Sequence, residues 1–341
     1  MNDCTREIIE ITSIFLDNSN NNASLTLSSA SKKYKKLLLQ LSELDIDKEE
    51  CNQHIHTTKG KALATIPAAD CIDDFMRTKQ FILGTYNAIN SLLTQPNQNI
   101  HILYAGTGPF AALLLPSMLR FSKESISYTL MDINPTSLQA LKKVLAKLEL
   151  DKHTIELIDQ NATEYQIPHS ESFDIIISET MQAGLAREPQ VSIFLNLMRQ
   201  SSQSTLFIPE KIEIFIGHKT TGIPMEEIKK EDYKKAVKIF EVSKEALNSY
   251  INTNTEIENS SFDEVSSILK KSSIKNSDLL LLLTEINVFG NQTLRTQESG
   301  LTLPLIIDNI SEKKQNDIII KSSYKIDKQP RFEYQIVSQK S

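Results

Sequence analysis

The sequence predicts an α/β protein: a Rossmann-like core around a parallel sheet, preceded by a helical N-terminal cap and followed by a β-rich C-terminal domain. Three observations carry this prediction. Apolar strand-like runs alternate with helical segments from about residue 96 to 209, the pattern of a parallel sheet with helices on both faces. The turn Gly106-Thr107-Gly108 follows the first of these strands, and Asp132 ends the second. Beyond residue 210, strand-like runs continue without helical crossovers, as in an antiparallel sheet or barrel.

In the cap, residues 1–95, amphipathic helices are predicted over 3–17 and 31–44. They are separated by DNSNNNASLTLSSAS, whose Asn and Ser favour turns. A third helix is expected from Cys71 to Leu93, with Asp70 as its N-cap and Asp73 in its first turn. In the core, residues 96–209, HILYAG, ISYTLMDI, HTIELID, FDIIISE and STLFIPE read as strands. PFAALLLPSMLRF, PTSLQALKKVLAKL and EPQVSIFLNLMRQ read as helices, with Pro109 and Pro135 near helix starts. In residues 210–341, KIEIFIG, LLLLLTEINVFG, LTLPLIID, DIIIKSSYKI and FEYQIV are strand-like. A helical insertion is expected over about 225–271.

Composition narrows the function classes. Of 341 residues, 40% are hydrophobic and 23% charged, which describes a globular chain of roughly two units. A net charge of −6 offers no general attraction for nucleic acid or an anionic membrane surface. Cys4, Cys51 and Cys71 have neither metal nor redox spacing, so reduced thiols in a cytoplasmic setting are expected. The acid-containing N-terminus lacks a secretory pattern, and the longest wholly apolar run, Leu279 to Leu283, is too short to span a bilayer. His54 and His56 stand without further clustered ligands, and no metal is expected.

The candidate site begins at Tyr104-Ala105-Gly106-Thr107-Gly108-Pro109-Phe110-Ala111, a small-residue turn between a strand and an expected helix. Glycines there tighten the turn and admit a ligand close to the backbone. Asp132 is placed to accept both ribose hydroxyl protons of an adenosine cofactor. Dinucleotides and S-adenosyl-L-methionine compete for this pattern. Asn161 could meet an adenine edge through an amide that donates and accepts, or could simply form a turn.

Asp74-Phe-Met-Arg77-Thr78-Lys-Gln-Phe81 resembles the D-x-x-R-T-x-x-Y segment of protein arginine methyltransferases; read locally, Asp74 and Arg77 would be an i,i+3 surface pair. Glu179 and, nine residues on, Glu188 resemble that family's two substrate-gripping glutamates, and Phe207-Ile-Pro209 resembles its turn into a C-terminal barrel. The resemblance implies a class I methyltransferase using S-adenosyl-L-methionine. Arg77 would hold the cofactor's carboxylate, Tyr104, Gly106 and Gly108 would line its site, Asp132 would hold the ribose and Asn161 would touch adenine. Glu179 and Glu188 would be catalytic, orienting and deprotonating the acceptor. The N-terminal helices would cover the cofactor, and the insertion, through Val237, Phe240, Val242 and Leu247, would support a homodimer.

Three departures separate this chain from that family. Tyr104 stands where class I methyltransferases commonly place an acid, Thr180 follows Glu179 where an aromatic is usual, and the chain has no Trp, so the family's Thr-His-Trp loop is missing. The expected acceptor is therefore a small molecule with a nitrogen or oxygen nucleophile. The alternatives are an arginine N-methyltransferase-like enzyme and an aminocarboxypropyl transferase or cyclase that releases methylthioadenosine.

Overall fold

Apolar residues at helical spacing build the N-terminal part. The structure is a computed structural model describing residues 2–17, 24–94, 99–150, 154–220, 222–223, 229–253, 261–313 and 316–338. Helices α1 (Asp3–Leu16) and α2 (Ser24–Ser42) precede a hairpin of β1 (Ile55–Thr57) and β2 (Gly60–Ala62). Helices α3 (Thr65–Asp70) and α4 (Phe75–Leu92) follow. Helix α2 starts seven residues before the predicted Ser31, inside the segment read as a loop. Leu27, Ala30, Tyr34, Leu38 and Leu41 form one buried stripe, and Ser31 Oγ donates to the Ile72 carbonyl at 2.7 Å, so tertiary packing overrides local turn preference.

The predicted third helix is broken. Asp70 ends α3, a 3-10 turn covers Cys71–Asp73, and the N-cap of α4 is Asp74, whose Oδ1 accepts from the Arg77 N–H at 3.1 Å. An aspartate three residues before an amide it can reach is the better cap.

The core sheet contains β3 (Ile100–Ala105), β4 (Ile126–Asp132), β5 (Thr154–Asp159), β6 (Ile175–Ile177) and β7 (Leu206–Ile208). The strands are parallel in the order β5-β4-β3-β6-β7. Chain order reverses beside central β3, which places a crevice at the carboxyl ends of β3, β4 and β6. The crossovers include α5 (Leu115–Met118), α6 (Pro135–Lys147) and α7 (Gln190–Met198). Asn134 caps α6 by accepting from the Thr136 and Ser137 N–H groups, with Pro135 at the first helical position.

The helix expected directly after the glycine turn does not form. Residues 109–114 run as turns, with Ala111 left-handed at φ 46°, and only the four-residue α5 is regular. Phe110, Ala111, Leu113, Leu114 and Leu115 are all buried, so this run has no solvent face to align along a helix, and Pro109 does not begin one.

The C-terminal part is antiparallel. Strands β8 (Lys211–Thr220), β9 (Tyr233–Ser243), β11 (Ser277–Phe289) and β12 (Gln292–Leu294) form one sheet, with β13 (Leu305–Asn309) also on β11. Strands β10 (Val265–Leu269), β14 (Ile318–Lys325) and β15 (Arg331–Ser338) form a second. Helix α8 (Lys244–Thr253) follows β9, and α9 (Lys271–Ile274) precedes β11. Thus the expected helical insertion is in large part strand. Residues 233–243 alternate and pair with β8, and α8 is the principal helix there. Val242 and Leu247 are fully buried in the chain's own packing, whereas Val237 and Phe240 are half-buried and Phe240 stacks on Tyr324. Residues 221, 224–228 and 254–260 of that reading lie outside the described residues. No helix among the described residues is long and apolar enough to cross a membrane.

Candidate active site

At the carboxyl end of the core sheet lies a cavity of about 660 Å³, within the range of small-molecule sites. Arg77, Tyr104, Gly106, Gly108, Asp132, Asn161, Glu179 and Glu188 all line it. Residues from five separate stretches are thereby brought to one wall-to-wall space. Its cover comes from the N-terminal part, through Thr57, Lys61, Leu63 and Ala68 around β1, β2 and α3 and through Cys71, Ile72, Asp74 and Arg77 of the stretch predicted as the third helix; α1 and α2 contribute none of the lining.

The glycine turn is locked to the neighbouring strand β4. The Gly106 and Thr107 N–H groups donate to the Met131 carbonyl at 2.8 and 3.1 Å, and the Gly108 N–H donates to Asp132 Oδ2 at 2.7 Å. Gly106 has φ 81°, and a Cβ there would lie 2.4 Å from Thr180 Cγ2, so this glycine accommodates the β6 loop as well as the turn. Asp132 Oδ1 accepts from the Asn134 N–H at 2.8 Å. Burial pushes the Asp132 carboxyl up to about 6 against these stabilising N–H bonds. Tyr104 is buried, and burial raises its phenol, so it enters the site as a neutral hydroxyl. Asn161 Oδ1 accepts from the Thr163 N–H and Oγ1, both at 3.0 Å. It therefore does form a turn, while its amide NH2 can face a ligand.

Arg77 is not a surface partner of Asp74. Its guanidinium reaches across the cavity to Glu179, with Nε donating to Oε2 at 2.6 Å and Nη2 contacting the same oxygen; Nη1 donates to the Cys71 carbonyl at 3.1 Å. Arg77 and Glu179 are 8% and 9% exposed, so this is a buried charge pair. Gln190, fully buried at the start of α7, grips the backbone around Glu179: Nε2 donates to the Ser178 carbonyl, and Oε1 accepts from the Thr180 N–H at 2.9 Å. Glu188 is 5% exposed and accepts from Gln182 Nε2 at 2.8 Å; burial raises its carboxyl above the ordinary range.

The loop between the glutamates is held from outside. Gly184, Leu185 and Arg187 have φ of 66°, 55° and 68°, and the two non-glycine residues need external support for that conformation. Thr284 Oγ1 accepts from the Gly184 N–H at 2.9 Å, Tyr324 Oη donates to the Leu185 carbonyl at 2.8 Å, and the Pro330 carbonyl accepts from the Arg187 N–H at 2.7 Å. From the cap, the Lys61 N–H donates to the Arg187 carbonyl at 2.9 Å. Lys61, Gln182, Gln190, Thr284 and Tyr324 carry no motif, and sequence reading missed them. Asp74 was quoted only within a motif, yet its Oδ2 accepts from Ser299 Oγ at 2.6 Å and the Gly300 N–H at 2.7 Å. No group of three or more metal-ligating side chains occurs among the described residues.

This architecture is the class I methyltransferase fold in the arrangement of the protein arginine methyltransferases. Among solved structures, the Trypanosoma brucei PRMT1 enzyme-prozyme heterotetrameric complex with AdoHcy matches with TM-score 0.54 and 12% identity, over 80% of this chain and 93% of that one. Arabidopsis thaliana protein arginine methyltransferase 10, in an open conformation, matches with TM-score 0.51 and 12% identity, over 79% of this chain and 97% of that one. At this identity the likeness defines the fold. No family model matches the sequence, and no curated protein does.

Proposed function

We propose that the chain is an S-adenosyl-L-methionine-dependent methyltransferase acting on a small-molecule nitrogen or oxygen nucleophile, as a cytoplasmic protein. The observation that carries this reading is the meeting of Arg77, Asp132 and the two glutamates in one cavity. The residues fit the cofactor. Arg77 spends three of its five N–H donors on Glu179 and Cys71 and keeps two for a carboxylate. Asp132, ionised above about pH 6, has lone pairs beyond those used by Gly108 and Asn134 for ribose hydroxyls. A dinucleotide fits less well, because its pyrophosphate calls for a helix N-terminus where residues 109–114 form turns.

When bound, the cofactor supplies a methyl group on a sulfonium leaving group. The chain's residues align the acceptor, exclude water and move its proton. Glu188, held by Gln182, is the proton acceptor, and its raised pKa brings it closer to working pH. Glu179 orients Arg77 and the acceptor. The likeness to a protein complexed with AdoHcy supports the cofactor assignment.

Calorimetry should give binding of S-adenosylhomocysteine and none of NAD; the reverse result overturns the proposal. Incubation with S-adenosyl-L-methionine and candidate amines should yield S-adenosylhomocysteine. Methylthioadenosine formed at catalytic rates, and lost in Glu179→Gln, would replace methyl transfer with aminocarboxypropyl chemistry.

A further inference from the structure

The region that closes the acceptor end of the cavity is rich in leucine. Gly300–Thr302 form a 3-10 turn fastened to the N-cap of α4 through Asp74, and the Ser299 hydroxyl also caps the turn by accepting from the Leu301 N–H at 3.1 Å. From this anchor Leu301, Leu303 and Leu305 line the cavity. Leu305 reaches the loop between the glutamates: a Cβ built on Gly184 would lie 2.9 Å from Leu305 Cδ1. A strip of leucine thus runs from Asp74 to the middle of the two-carboxylate loop. Leu303 is 51% and Leu305 37% exposed, so the strip leaves apolar surface at a cavity wall, where a ligand can cover it.

The charges narrow the other end of that ligand. A guanidinium is a planar fork best met by paired acceptors. Here Glu179 already takes two donors of the Arg77 fork on one oxygen. Asp74 and Asp132 are occupied by hydroxyl and backbone donors. Glu188 is held through Oε1 by a neutral amide, so among the described residues no carboxylate of the cavity presents both oxygens unoccupied to a fork, while Oε2 of Glu188 stays open to an N–H donor.

We infer that the acceptor is a monoamine carried on an apolar body, with its nitrogen at Glu188 and its body over Leu301, Leu303 and Leu305. The inference rests on the methyltransferase reading and adds the substrate class. Covering the strip removes apolar area from water, and each methylene that reaches it tightens binding about threefold to fourfold.

The test is calorimetry on the full chain saturated with S-adenosylhomocysteine, titrated with n-butylamine, n-hexylamine and n-octylamine and, as the guanidinium probe, N-acetyl-arginine amide. Affinity should climb along the alkyl series and exceed that for the arginine probe. Leu303→Ser and Leu305→Ser should flatten the climb, and Glu188→Gln should weaken all three amines equally while leaving the climb intact. A chain-length-independent affinity, a climb unchanged in both serine variants, or tighter binding of the arginine probe overturns the inference. Binding of S-adenosylhomocysteine with no amine binding at all also defeats it and leaves the methyltransferase reading in place. Absence of S-adenosylhomocysteine binding defeats that reading itself.

Discussion

The two ends of the cavity are built by different physics. The proposed cofactor end is local: Gly106, Thr107 and Gly108 bond to Met131 and Asp132 on the adjacent strand, so neighbouring elements of one sheet set its geometry. The proposed acceptor end is assembled from a distance. Its loop, residues 179–188, takes support from Lys61 in the cap, Thr284 on β11, and Tyr324 and Pro330 around β14 and β15. A site of this kind can keep one end while the other is rewritten by changes far away in sequence. The same core can then serve new acceptors.

The Arg77–Glu179 pair joins the two ends, and breaking it should have the largest effect. Arg77→Ala leaves Glu179 buried without its cation, which costs about 3–5 kcal/mol. Urea denaturation should register that loss, together with loss of S-adenosylhomocysteine binding. Glu188→Gln is the counterpart. Its carboxyl is already disfavoured by burial and its partner is an amide, so stability should change by less than about 1 kcal/mol. Turnover should nevertheless fall about a hundredfold or more if Glu188 takes the proton. Equal stability losses in the two variants would erase the distinction drawn between the ends.

Asp132 sharpens the comparison through pH. Its folded pKa of about 6 lies above the ordinary 3.8, so between these values the native chain holds a proton that the unfolded chain has lost. This contribution to stability is fully present below about pH 4 and is lost as pH rises through about 6. It is of the order of 3 kcal/mol. Asp132→Asn should flatten that part of the stability profile. Ribose hydroxyls require the ionised form, so cofactor affinity has the opposite slope and should weaken about fivefold between pH 6 and pH 5. A flat affinity profile over that range would remove Asp132 from the ribose site.

Legibility in the sequence follows the same division. The strand-turn-strand geometry around Gly106 and Asp132 depends on period and short-range bonds, and the alternation over 99–209 is the parallel sheet itself. The helix start at Ser24 and the strand over 233–243 escape sequence reading because each is decided by a distant surface, Ile72 for Ser31 and β8 for β9, whereas the cap at Asp74 is a local choice between two aspartates that only the reach to the Arg77 N–H decides. Glu179 and Glu188 were legible only through a family resemblance. Nothing in their spacing says that Arg77 would occupy one and an amide the other.

The smallest expected effect isolates the distant support. Tyr324 is fully enclosed, stacks on Phe240 with ring centroids 5.1 Å apart, and spends its hydroxyl on the Leu185 carbonyl. Tyr324→Phe keeps the ring and deletes one hydrogen bond, so global stability should fall by only about 1 kcal/mol. The loss falls on a loop in which Leu185 and Arg187 already adopt left-handed backbone, and its consequence should be local opening ahead of global unfolding. Hydrogen exchange should accelerate at residues 183–188 and stay unchanged at 106–108, where Met131 and Asp132 hold the amides. Cofactor affinity should hold, because none of its proposed contacts passes through Tyr324. Exchange rising equally at both ends would mean that Tyr324 supports the fold as a whole. The acceptor end would then have no separate mechanical control from the C-terminal sheets.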